Sequence, residues 1–208
     1  MLTSLLPQIL AASLEHLALV GLSVGLAFLL GLPLGIWAYR HPRPARPMLL
    51  LIDVIQTIPS LALFGLLLPI PLLGGIGPRL AVLALFLYAL LPIVRSTATG
   101  LAQVSLSVRE AALAMGLSPG TILREVELPL AAPSILAGLR IAIVTSIATA
   151  TVAAAIGAGG LGVFLYRGLA TVEESLLFAG AVPAALMAVL LDRIFLWIED
   201  RLSRSLSL

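Results

Sequence analysis

The sequence predicts an all-α integral membrane protein with about five membrane-spanning helices, and a pair of short helices between the third and fourth span. Three observations point there. The chain of 208 residues is 61% hydrophobic and only 11% charged, where a soluble domain carries about 25% charged residues. Its mean hydropathy is +1.16, and ionised groups are expensive inside a bilayer. Apolar runs of spanning length recur along it, separated by arginine- and proline-bearing stretches.

A spanning helix needs about 20 mostly apolar residues. The first run is Leu17–Tyr39, and the second is Met48–Leu68 with Asp53 inside it. The third, Leu80–Val94, is short but continues past Arg95 if that side chain snorkels. Ile135–Ile156 is the fourth, and Leu176–Ile198, with Asp192 and Arg193 near its end, is the fifth. Pro33, Pro59, Pro92 and Pro183 fall inside these runs. Membrane helices tolerate proline because neighbouring groups satisfy the freed backbone. Residues 1–14 read as an interfacial helix or an extension of the first span. No basic residue precedes Arg40, so the positive start of a signal peptide is missing. The chain reads as one membrane domain over 1–208.

Arginine placement sets the expected orientation. The Arg40–Pro47 turn, the segment 95–140 (Arg95, Arg109, Arg124, Arg140) and the tail (Arg201, Arg204) are basic. The opposite side holds Arg79, after the turn Gly74-Gly75-Ile76-Gly77-Pro78, and Arg167. The positive-inside rule then puts the 95–134 loop and the C-terminus in the cytoplasm and the N-terminus outside. Dispersed arginines make nucleic-acid binding a poor reading. With no cysteine, disulfide and thiolate chemistry are excluded.

Residues 107–129 form the charged island of the chain. Ser107-Val108-Arg109-Glu110 has the form of a capping box. Ala111 to Met115 favour helix, and Gly116 is placed to end it left-handed. Ser118 and Pro119 suit the cap and first turn of a second helix. Pro129 is expected to stop that helix, and Pro133 to open the fourth span. The register is Glu110-Ala111-Ala112, three residues, Gly116, nine residues, then Val126-Glu127-Leu128-Pro129.

That register resembles the EAA loop of binding-protein-dependent ABC transporter permeases, with Val126 where many members have isoleucine. Thr57–Ala62, Leu87–Arg95 and Ile156–Gly162 are similar to the osmoprotectant branch, and the likeness extends from about His16 to Arg193. The resemblance implies a pore-forming subunit for glycine betaine, choline or carnitine in a bacterial or archaeal cytoplasmic membrane. It implies a second permease subunit (identical or related), two ABC ATPases and an extracytoplasmic binding protein. Glu110, Ala111, Ala112, Gly116, Leu128 and Pro129 would couple the chain to its ATPase. A permease for an amino acid or an ergothioneine-like betaine is the nearest alternative.

The remaining motifs are weaker. Gly157, Gly159, Gly160 and Gly162 satisfy GxGxxG, but the motif follows a membrane span instead of a strand. An extracytoplasmic loop, part of an outer gate, fits better than a nucleotide site. The chain has no lysine and hence no P-loop, so ATP would be bound by a partner, and no cofactor or metal is expected in this chain. Asp53, Gln56, Thr57 and Ser60 form a polar strip. The strip is a candidate wall of the translocation path, or Asp53 is simply paired with Arg40 or Arg95. Glu15 and His16 read as an interfacial polar pair. Thr145, Ser146, Thr149 and Thr151 read as helix-packing hydroxyls. An intramembrane enzyme lacks a matching nucleophile and base; a passive channel or scaffold is the rival from another class.

Overall fold

The computed structural model describes residues 2–70 and 75–206. Gly74, part of the turn expected before Pro78, lies outside them. The regular elements among the described residues are all helical. Four helices are long and apolar enough to cross a membrane, or five if one bent pair counts as a span.

Helix α1, Leu2–Arg40, is a single helix of 39 residues. At about 1.5 Å per residue it reaches about 58 Å, well beyond a hydrocarbon core of about 30 Å. Residues 2–14 therefore extend the first span. Helix α2, Pro42–Thr57, and helix α3, Ser60–Leu67, follow. They are bent by 107° from one another, so the second span expected over Met48–Leu68 is a broken pair of helices. Ile58 is extended (φ −70°, ψ 126°) because a residue before proline is pushed out of the helical region. The broken turn is capped from elsewhere: the Tyr88 hydroxyl donates to the Ile58 carbonyl, and Gln56 Nε2 donates to the Tyr88 carbonyl at 2.6 Å.

Helix α4, Pro78–Gln103, runs straight through Arg95 as expected. Helices α5 (Leu106–Ala114) and α6 (Pro119–Ile122) come next, then a π-helical segment, Leu123–Glu127. Helix α7 spans Leu128–Ala153, with a short 3₁₀ turn after it. Helices α8 (Gly162–Thr171) and α9 (Glu174–Leu206) close the chain.

Helix α4 is the centre of the bundle, packed by α1 on one side and α7 on the other; α9 packs on α7. Small residues let the backbones approach, the usual solution where hydrophobic driving force between helices is absent. A Cβ at Gly35 of α1 would lie 2.5 Å from the Thr97 Cβ, and one at Gly138 of α7 2.4 Å from the Ser96 Cβ. Phe64, Leu80, Leu85, Ile93 and Ile147 are fully buried between these helices. Leu29, Leu190 and Trp197 are instead exposed, the inside-out pattern expected where lipid or another membrane subunit covers the surface. The charge inside α9 is paired: Arg140 of α7 lies 3.0 Å from Asp192 and 3.3 Å from Glu199, two turns apart on one face. The hydroxyls of Thr145, Thr149 and Thr151 bond to carbonyls of their own helix, and Ser146 is buried in the bundle.

Candidate functional site

The segment 107–129 folds as two short helices around a glycine. Helix α5 begins at Leu106, so the expected capping box at Ser107 does not form. Only Val104 and Ser105 separate α5 from α4, and this short link starts the helix early. Ser107 is thus already inside it, with its hydroxyl 2.6 Å from that of Ser105. Glu110, freed of a capping duty, is exposed, as is Ala111, while Ala112 is buried. The two alanines thus differ: Ala112 packs against the protein and Ala111 does not.

Gly116 ends α5 as expected, with φ +80°. Its N–H donates to the Leu113 carbonyl at 2.9 Å, and the Leu117 N–H donates to Ala112 at 3.2 Å. This bond pair is a Schellman cap, which requires a left-handed residue. Ser118 then caps α6, accepting from the Thr121 N–H at 3.2 Å, with Pro119 in the first turn.

Past α6 the structure departs from expectation. Pro129 does not stop the helix and Pro133 does not open a new one: Pro119–Ile156 is one continuous helical rod. The π segment explains this. The Leu128 N–H reaches back five residues to the Leu123 carbonyl, so the backbone widens just where Pro129 cannot donate. Leu128 is half-buried and Pro129 exposed beside this wide turn.

The turn also creates a site that the spacing did not reveal. Glu127 is buried, 2.8 Å from Arg109 Nε, and accepts from the Tyr39 hydroxyl at 3.1 Å. The Arg109 guanidinium lies 5.2 Å from the centre of the Tyr39 ring and donates to the Leu101 carbonyl. Arg40 donates to the Pro119 carbonyl at 3.3 Å. A cavity of about 430 Å³ opens among Tyr39, Arg40, Arg109, Leu113, Pro119 and Glu127. The sequence carries no signal for this pairing, because Glu127 lies in the Glu-Ala-Ala register and Arg109 just before it, 18 positions apart in the chain.

Asp53 pairs with Arg95 at 2.5 Å, one of the two arginines expected. Gln56 supports the α2–α3 break, and the Thr57 hydroxyl donates to the Val54 carbonyl at 2.7 Å. Ser60 opens α3 beyond the bend. Asp53, Gln56 and Thr57 thus lie on α2, and Ser60 follows across the bend.

At the far end of α7, Gly157, Gly159 and Gly160 all have positive φ, and Gly162 opens α8 against the Thr151 backbone. Glu15 accepts from the Gly160 N–H at 3.1 Å. His16 is fully buried, its Nε2 3.1 Å from the Ile147 carbonyl. Burial corrects the reading of His16 as interfacial: α1 extends past it, and the glycine loop folds over it. Glu15, Pro78, Arg79, Gly157 and Gly159 help line a cavity of about 710 Å³ at this end.

Known proteins carry the same architecture. The chain is 46% identical to the osmoprotectant import permease protein OsmW of Salmonella typhimurium, over 90% of this chain and 86% of that one. It is 42% identical to the glycine betaine/carnitine/choline transport system permease protein OpuCD of Bacillus subtilis, over 91% and 82% of the two chains. The fold matches an inward-facing MetNI methionine ABC transporter structure with a TM-score of 0.85 at 24% identity, covering 93% of this chain and 95% of that one. A family model for binding-protein-dependent transport system inner membrane components matches residues 27–207. The chain belongs to that family, as a multi-pass membrane permease component.

Proposed function

We infer that this chain forms the membrane pathway of an ATP-driven importer for quaternary-amine osmoprotectants such as glycine betaine, choline or carnitine. The observation that carries the reading is the shape of 107–129. Glu110 and Ala111 project outward beside a Schellman-capped Gly116, and Leu113 and Met115 are 56% and 73% exposed. Apolar side chains left bare on a polar loop mark a protein contact, here with an ABC ATPase on the cytoplasmic face. Leu128 and Pro129 support the second half of that contact. The named relatives support the solute class.

Two copies of this chain, or one with a related permease, enclose the pathway. Two ATPases bind the ATP, and an extracytoplasmic binding protein delivers solute. Asp53, Gln56, Thr57 and Ser60, at the α2–α3 corner, border the path. The loop Gly157–Gly162 closes its outer end. ATP-driven closure of the ATPases rocks the spans so that the path opens to one side and then the other.

The test is uptake of labelled glycine betaine, choline and carnitine into proteoliposomes holding the full transporter, with a labelled amino acid alongside. ATP-dependent uptake of a quaternary amine is expected. Glu110→Lys or Gly116→Leu abolishes it while membrane insertion is unchanged. Uptake of the amino acid alone overturns the solute class, and normal coupled uptake by both variants overturns the role of the loop.

A further inference from the structure

We propose that Tyr39, Arg109 and Glu127 form a rigid transmission joint that locks the end of α1 to the two-helix segment, so that motion received by α5 is delivered directly to the first span. The inference rests on the transport reading above and names positioning residues for it.

Four elements meet at the joint. Tyr39 comes from the last turn of α1, Arg109 from α5, Glu127 from the π segment, and the Leu101 carbonyl from the last turn of α4. The backbones of α1 and α5 scarcely pack against each other, so side chains carry the link. Burial makes the link stiff. The side chains of Arg109 and Glu127 are 21% and 8% exposed, and a charge pair shielded from water is screened far less than a surface pair. Removing one partner strands the other charge out of water, so the pair resists separation during a stroke.

The geometry serves position as well as strength. Arg109 immediately precedes Glu110, so any displacement of the outward-facing acid moves the guanidinium with it. The guanidinium is held on one side by the Tyr39 ring and on another by the Glu127 carboxylate. Beneath them Tyr39, Leu101, Leu123, Leu128 and Ala131 form one apolar cluster. The wide π turn places Glu127 immediately before α7. One joint therefore connects α5 to α1 and α7 together, and the Arg40–Pro119 bond adds a second tie from α1.

The test compares wild type with Glu127→Gln, Arg109→Met and Tyr39→Phe in the assembled transporter. Glu127→Gln keeps an acceptor for the Tyr39 hydroxyl but removes the charge. Solute moved per ATP hydrolysed is expected to fall about tenfold in Glu127→Gln and Arg109→Met, and less in Tyr39→Phe. Because the two act as one unit, the double variant is no worse than either single. A purely structural role instead lowers uptake and hydrolysis together at constant ratio, and that result overturns the proposal, as does an unchanged ratio in all three variants.

A second readout needs no solute. The chain has no cysteine, so in a transporter with cysteine-free partner subunits and one labelled copy of this chain, spin labels at Ala114→Cys, at the end of α5, and His41→Cys, just past α1, report the distance between the ends of these two helices. That distance stays constant between nucleotide-free and ATP-bound transporter in wild type and shifts with nucleotide in Glu127→Gln. A shift of the wild-type distance overturns the joint even if no transported solute is found. Absence of quaternary-amine uptake with a constant wild-type distance counts against the transport reading instead.

Discussion

Arg140 shows how single residues hold this bundle. It is the shared partner of Asp192 and Glu199, with side chains 25%, 35% and 21% exposed in that order. Arg140→Met leaves two carboxylates facing each other without a cation. We expect a loss of about 1–3 kcal/mol, below the 3–5 kcal/mol of a fully buried pair because water still reaches these groups. Thermal unfolding in detergent measures it. Arg95 and Asp53 are 57% and 31% exposed, and exposed pairs contribute about 0–1 kcal/mol. Asp53→Asn should therefore barely move the same transition, so any defect it causes in uptake belongs to the path and not to the fold. Pairing of Asp53 with an arginine such as Arg40 or Arg95 was legible in the sequence, and Arg95 is the partner. The Arg140 cluster was not legible, because it depends on α7 packing against α9, and no local pattern encodes which helices meet.

At the scale of elements, the α2–α3 corner and the π segment matter most. Pro59 falls inside an apolar run, and proline is tolerated inside membrane spans, so the sequence does not reveal the 107° turn. The corner is capped by Tyr88, a residue of another helix. Tyr88→Phe removes the donor to the Ile58 carbonyl. It should cost about 1–3 kcal/mol, the usual penalty for stranding a shielded acceptor, read as a lower unfolding temperature with helix content kept. The π segment has the opposite history. Pro129 and Pro133 read as stop and start signals, but a five-residue reach between amide and carbonyl absorbs the proline and keeps the rod intact. The signals at Gly116, Ser118 and Pro119 were legible because each acts on backbone within a few residues of itself.

For the whole molecule, α7 joins the two functional ends, with the 107–129 segment leading into one end and the glycine loop leaving the other. The glycine loop is tied to α1 through Glu15, and the two-helix segment is tied to α1 through Tyr39. Family and general architecture were readable because composition and the Glu-Ala-Ala register are properties of the chain alone. The α1 ties were not, since they join residues 145 and 88 positions apart. The central claim is that the exposed face of α5 is where an ABC ATPase takes hold. Its most direct measurement is cysteine cross-linking in the assembled transporter, comparing Ala111→Cys on the outward face with Ala112→Cys on the buried one. The account predicts a cross-link to the ATPase subunit from position 111 and none from position 112. Cross-linking from neither position, or from 112 alone, would contradict it.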